Sequence, residues 1–476
     1  MKIQARTFLP LILICAEGRG QLPPAPQAAP SGPAPVIQQR LSGSAYTGSV
    51  PSGTASADTL PLTLRDALQR GLKNNLGILT NQDSVELAAQ DRRRTLSALL
   101  PGVYGAVTQN SIQSDLAAFG LKVPSIRPVV GPFGVEDARA YAQQTIYDRP
   151  ALRNLKSATE SAKAARLTAE EARNLVVQAV SNAYLAVITD AARADAIQAE
   201  VTTAQALLDR AADQKRAGTV AGIDVLRAEV QFRTEKQRLL AQKNQVEKGK
   251  LVLARVIGLP PGQKFTLTDS LPFAVLDQTL DELLRQAYDR RPDYKAAKTH
   301  VRAAEFALEA ARAQFWPSVV VQANYGDIGS TFTASHGTFS MVAGVRFPLY
   351  TGGRSQAETD QAQTLLRNRQ NAVEEMRGRI DAEVRTAYLD LQSSAEQVEV
   401  AKGNADLAGQ TLVQAKDRFG AGVTDNIEVI QAQQLQAAAN DNYISSLGAH
   451  NAAKIALATA LGAAEESVPQ FLNLKP

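Results

Sequence analysis

Almost nothing in this chain is arranged to make or break a covalent bond. Its histidines, His300, His336 and His450, lie far apart with no metal-ligand spacing around them, and Cys15 is the only cysteine. The chain has no glycine-rich phosphate loop carrying a lysine and no G-x-S-x-G nucleophile turn. No enzyme, cofactor or metal site is therefore expected. What does recur is a set of charged and capping residues at two glycine turns. One is Arg216-Ala217-Gly218-Thr219-Val220-Ala221-Gly222-Ile223-Asp224, and the other is Arg418-Phe419-Gly420-Ala421-Gly422-Val423-Thr424-Asp425-Asn426-Ile427-Glu428. Gly218 and Gly422 permit the left-handed turn that ends a helix. Asp425, with Glu428 three residues on, fits a capping box opening the next one.

Both turns sit inside a larger repeated unit. Asn182-Ala183-Tyr184-Leu185, the first turn and Arg255-Val256-Ile257-Gly258 reappear 204 residues later as Thr386-Ala387-Tyr388-Leu389, the second turn and Thr459-Ala460-Leu461-Gly462. A register held that long means a duplicated element. Apolar positions ahead of the first turn step by threes and fours: Ala169, Ala172, Val176, Ala179 and Ala183, then Ala194, Ile197, Val201, Ala204, Leu208 and Ala211. That spacing predicts an alanine-rich coiled-coil seam on rods of roughly 90–100 Å. Helical hairpins are expected over 151–257 and 353–461, with the returning helices polar nearly all round.

Ahead of each rod the period falls to two. Val319, Val321, Ala323 and Tyr325 alternate with Gln322 and Asn324. Phe339, Met341, Ala343, Val345, Phe347 and Leu349 alternate with Ser340, Val342, Gly344, Arg346 and Pro348. This is the pattern of a bilayer-crossing β-strand. Strands are expected at about 102–110 and 139–147, with a longer loop over 111–139, and again at about 318–326 and 338–349. A matched helix opens each half, at Thr63 to Asp66 and at Thr279 to Glu282, and ends at Pro101 or Pro317. Trp316, Phe347 and Tyr350 gather at one end of the strands, as aromatic residues do at a membrane interface; Trp316 could also pack between helices. Gln322, Asn324, Ser340 and Arg346 are the residues expected to face a pore.

Composition fits long helices and not compact cores, with 5% aromatics and a hydrophobic share of 45% carried mainly by alanine. A net charge of +4, with acids and bases interspersed, leaves no basic stripe of the kind a nucleic-acid binder needs. Lys2, Arg6 and the apolar run from Phe8 to Ile14 predict a secretory signal over 1–20. It ends either by lipidation at Cys15 or by ordinary cleavage near Ala16-Glu17-Gly18. A disordered Pro/Ala-rich leader is expected over 21–60, then repeat 1 over 61–262, a linker over 263–278, repeat 2 over 279–463 and a tail over 464–476. No helix is expected to span a bilayer.

Four strands cannot close a membrane barrel, since the smallest need about eight. Open edges in hydrocarbon cost several kcal/mol per group, so copies of the chain must pool their strands. Here the chain resembles the TolC-like outer-membrane efflux family, from about Leu62 to Gly462. The resemblance is carried by Phe347-Pro348-Leu349-Tyr350-Thr351-Gly352-Gly353, by Gln144-Thr145-Ile146-Tyr147-Asp148 and by the second turn. It implies a mainly α fold with a β-barrel segment: two tandem repeats, each a β-hairpin plus a long coiled-coil helical hairpin, forming a trimeric α/β-barrel channel. It also implies a homotrimer in outer-membrane lipid of a Gram-negative-type cell, with a long periplasmic portion. The implied partners are a periplasmic adaptor (membrane fusion) protein and an inner-membrane pump of RND or ABC type.

By the same resemblance, Glu428, Asp425, Phe419 and Asp224 fall at a pore gate, and Arg216 and Arg418 at links that hold the tips shut. Gly218, Ile223, Gly422 and Thr424 fall at the adaptor-docking tips. Gln431 stands where the family places a second acid, which halves the charge of the ring, and Lys215 takes the place of Phe419 in the first repeat. The implied function is the exit duct of a tripartite efflux or secretion system, passive and opened by adaptor docking, with small toxic compounds as cargo. Type I protein secretion and metal efflux use ducts of the same architecture. A soluble periplasmic coiled-coil scaffold is the reading from a different class.

Overall fold

The computed structural model describes residues 45–121, 126–271, 273–274, 278–421, 423–424 and 426–472. Cys15, Gly422 and Asp425 lie outside the described residues, as does the expected signal. The first repeat holds β1 (Leu60–Leu62), α1 (Leu64–Asn74), α2 (Leu76–Ser97), β2 (Gly102–Asp115), β3 (Val129–Tyr147), α3 (Arg149–Arg216) and α4 (Gly222–Ile257). The second holds β4 (Phe265–Leu267), α5 (Leu280–Arg290), α6 (Pro292–Arg312), β5 (Ser318–Gly329), β6 (Ser335–Arg346), α7 (Arg354–Gly420) and α8 (Asn426–Ala460), followed by a short α9 (Ala464–Phe471).

Local chemistry explains where these elements start. Thr63 opens α1 with a reciprocal cap: its N–H donates to the Asp66 carboxylate at 3.2 Å, and the Asp66 N–H donates to its hydroxyl at 3.1 Å. The Thr279 N–H meets Glu282 in the same way at 3.2 Å. Asp148 caps α3 by accepting from the Ala151 N–H at 3.0 Å. Past Pro150 in its first turn, α3 has no proline or glycine, so nothing interrupts it before Arg216.

β2, β3, β5 and β6 form one antiparallel sheet in that order. Directly paired residues share a face. Asn324 pairs with Ser340 and with Tyr141, and Gln322 with Val342 and Gln143, while Arg346 keeps the same parity opposite Ser318. The four expected pore residues therefore lie on one side. Val319, Val321, Ala323 and Tyr325 take the other, opposite Val345, Ala343, Met341 and Phe339. Within one protomer, the outer edges of β2 and β6 stay unpaired among the described residues.

Several strand limits differ from expectation; β5 runs on to Gly329 and β6 begins at Ser335. β2 runs on to Asp115 and β3 begins at Val129, so most of the expected loop is sheet. Ser111 to Asp115 is too polar to alternate, and its extension comes from the partner strand. β6 stops at Arg346, opposite Ser318 at the start of β5, because Pro317 before Ser318 and Pro348 beyond Arg346 both lack a donor.

The rods meet α1, α9 and the β1–β4 parallel pair in a buried belt. By length and composition α3 could cross a membrane. Its apolar middle (Val176, Val177, Val180, Tyr184, Leu185, Val187 and Ile188) instead joins a protein core with Leu62, Leu253, Ile455 and Val468. The seam is thus wider here than a coiled-coil stripe, and farther down Leu207, not Leu208, is buried. α8 also departs from the expected all-round polarity: from Leu447 to Ala460 it is buried on most sides, because α3, α7 and α9 surround it. The described part of the expected leader, 45–60, is held by backbone bonds from Val50 to Asn74 (2.9 Å), Ser52 to Gly258 (3.0 Å) and Leu60 to Lys264 (3.0 Å). These bonds need no apolar pattern, so the sequence does not announce them.

Candidate functional site at the helical tips

Both rods end by the same turn. The Thr219 N–H donates to the Gln214 carbonyl at 2.9 Å, and the Val423 N–H to the Arg418 carbonyl at 3.0 Å, at positions equivalent in the repeat. Gly218 has φ +76°, and nothing lies within 4 Å of where a Cβ would stand. The turn needs its conformation and not its small size.

The second tip closes on itself. Glu428 accepts from the Thr424 hydroxyl and lies 3.5 Å from the Arg418 guanidinium, so it is engaged across the turn. Arg418 is accordingly a link between α7 and α8 within one hairpin. The Asn426 side chain, itself buried, donates to the Asp224 backbone carbonyl at 3.3 Å and ties the second tip to the first.

Phe419, Arg216, Asp224 and Thr424 each find a partner within the protomer. Within the protomer Phe419 is 6% exposed, packed with Leu207, Leu412, Ala415, Val429 and Ala432. A large ring without a polar handle gains more from that burial than from a wet rim. Within the protomer Arg216 pairs with Asp213 one turn back, and Asp224 pairs with Arg227 at 3.3 Å. A partner three residues away on the same helix is always within reach, whereas a cross-hairpin pair must order two long side chains. Thr424 is spent on Glu428.

Ile223 does stand exposed, and it lines an apolar groove of about 400 Å³ with Leu226, Val230, Ile427 and Ile430, between α4 and α8. Sequence reasoning missed Arg210, whose guanidinium lies 5.9 Å from the Phe419 ring centroid and close against Gly420. A Cβ at Gly420 would come within 2.8 Å of the Arg210 guanidinium, which would have to shift.

Above the tips, Glu200 of α3 faces Glu235 of α4. Burial first, and the Glu235 charge second, push Glu200 up to about 7, while Arg238 lies 3.3 Å from Glu200 and 2.8 Å from Glu235. At the far end of the molecule Trp316, Phe347 and Tyr350 all remain exposed beside the sheet. On the polar face of that sheet Arg139 donates to Asn324 at 2.7 Å, Thr338 at 3.0 Å and Asp137 at 2.9 Å. Arg139 falls at the edge of the expected loop, so its place on the polar face of the sheet is not legible in the sequence.

An open-edged four-stranded sheet joined to two long helical hairpins is what comparison with known proteins also finds. The family model for outer membrane efflux proteins matches residues 67–259 and 283–463. The chain belongs to this family. Outer membrane protein OprJ of Pseudomonas aeruginosa is 26% identical over 394 residues, covering 78% of each chain. The toluene efflux pump outer membrane protein TtgF of Pseudomonas putida is 23% identical over 427 residues, covering 85% of this chain and 84% of its own. Among solved structures, a membrane protein from Pseudomonas aeruginosa superposes with a TM-score of 0.73 at 19% identity, covering 87% of this chain and 95% of that one.

Outer membrane efflux proteins are transport channels and not enzymes. They are trimers that stand in the outer membrane with a periplasmic portion and serve tripartite systems with an adaptor and an inner-membrane pump. The resemblance read from the sequence and the two-repeat α/β-barrel architecture hold.

Proposed function

We propose that this outer membrane efflux protein is a passive duct for small toxic compounds, opened when a periplasmic adaptor docks at its tips. The observation that carries this reading is the apolar groove of Ile223, Leu226, Val230, Ile427 and Ile430. Large side chains left in water at a helical end are suited to an amphipathic helix from a partner. Docking there would spread α4 from α8, beside the Asn426–Asp224 bond, and shift a closed–open equilibrium. Glu428, held by Arg418 and Thr424, belongs to the closed state in this scheme. The name of TtgF, a toluene efflux pump protein, supports a small apolar cargo.

Single-channel conductance in a planar bilayer tests the proposal, with adaptor added from the tip side. Wild-type protein should show a small conductance that rises with adaptor. Leu226→Glu should insert normally and fail to open. Opening of that variant at wild-type adaptor concentrations would remove the groove as the docking site, and protein that forms no channel would remove the duct.

A further inference from the structure

Where β3 and β5 give way to the rods, the Arg149 guanidinium lies 3.9 Å from the centroid of the Trp316 ring. Both partners are held by backbone. Arg149 is the first residue of α3, under its Asp148 cap, and the Trp316 N–H donates to the Ala313 carbonyl at 2.9 Å. The last rungs of the sheet, Tyr147 with Val319 and Ser318 with Arg346, fix the level of the pair at its end.

This end is where the apolar face of the strands stops. Trp316 is 48% exposed, and Phe315, Ile146, Phe347, Leu349 and Tyr350 nearby in the chain are exposed as well. Aromatic residues in such a band mark the headgroup level of a membrane.

Arg149 has no ion pair or hydrogen bond from its side chain among the described residues, whereas Arg153, one turn along α3, pairs with Glu309 at 3.0 Å. An arginine whose flat face rests on an indole keeps the N–H groups at its edge for another acceptor. At the level of lipid headgroups the acceptor that matches this charge and fork is a phosphate.

We propose that Arg149 and Trp316 form a headgroup site for an anionic phospholipid of the periplasmic leaflet, one per protomer. The guanidinium donates to the phosphate, and the indole lies against the ester region of the same lipid. The site is independent of how the tips open.

The experiment uses full-length protein in neutral detergent, titrated with phosphatidylglycerol or with phosphatidylcholine of the same acyl chains, with bound lipid counted by native mass spectrometry. Wild-type protein should prefer phosphatidylglycerol, filling about one site per protomer, and millimolar inorganic phosphate should not displace it. Arg149→Gln should lower that preference about tenfold. Arg149→Lys, which keeps the charge but loses the fork, should fall between the two. Equal binding of both lipids by the wild type, or an undiminished preference in Arg149→Gln, would overturn the proposal. So would displacement by phosphate, or an Arg149→Gln protein that falls apart into monomers without any lipid, since the guanidinium would then be an anion site or a subunit contact.

Discussion

At the same place in the two returning helices stand two lysines with different surroundings. Lys250 of α4 lies 2.8 Å from Glu247 and reaches water, while Lys454 of α8, 204 residues on, is 0% exposed and its ammonium has no hydrogen-bond partner among the described residues. One turn before it, His450 is buried between the Ser394 hydroxyl and the Ala274 carbonyl, each at 3.1 Å; the equivalent residue in the first repeat is Val246. The tips diverge in the same direction. Among the described residues the ion pairs of the first tip, at Arg216 and Asp224, stay within single helices, while the second buries Phe419 and crosses its own turn through Arg418, Thr424 and Glu428. Duplication thus preserved the backbone turn and let the second hairpin become the more deeply packed.

The largest test of this asymmetry is Phe419→Ala. Emptying a packed aromatic site should cost about 3–4 kcal/mol, read as a lower thermal midpoint in detergent and faster proteolysis at the second tip. Lys215→Ala, its counterpart in the first repeat, should cost under about 0.5 kcal/mol. Equal losses would mean that the two tips are packed alike.

Next in size is Lys454→Met. Removing a buried unpartnered ammonium should stabilise the protein by roughly 1–3 kcal/mol, and Lys250→Met should be close to neutral. The pH dependence carries a definite sign. Burial pushes Lys454 down from 10.5 to about 8, and His450, itself held below its usual range by burial, is the titratable neighbour that feels its charge. Between about pH 8 and 10.5 the unfolded chain binds the proton that the folded chain has lost, so stability rises with pH over that window. Below it both states are protonated and the penalty is constant. Thermal midpoints at pH 8, 9 and 10 should climb in the wild type and stay flatter in Lys454→Met; parallel curves would place the ammonium in water.

The smallest effect is at the bond between the tips. Asn426→Ala should cost about 1 kcal/mol and appear as more frequent openings in single-channel records. Asp224→Asn should leave those openings unchanged, because Asn426 donates to the Asp224 backbone carbonyl and not to its carboxylate.

Much of the architecture is legible because it is written in short-range patterns. Alternation from Phe339 to Val345 marks β6, and the Thr63–Asp66 pair marks the start of α1. The extension of β2 through Ser111-Ile112-Gln113-Ser114-Asp115 is not legible, since those residues are strand only because β3 lies beside them. The surroundings of the site residues are less legible than the fold. Motif position does not say what Phe419 packs against, because a helix repeats every 3.6 residues and a small rotation decides whether a side chain meets water or Leu207. Arg149 and Arg210 carry no local signature at all; each matters through a ring that lies far away in the chain.

The sequence by itself determined the duplication, the two periods, the caps and the glycine turns, because each depends on residues a few positions apart. Only the tertiary structure decided that Lys454 would be buried where Lys250 is wet, that Glu428 would be held by Arg418, and that Arg149 would lie on Trp316 with its donors uncommitted. Two helices of the same local design differ in what is packed against them, and it is that neighbour, fixed by the fold, which sets the solvation and charge of a side chain.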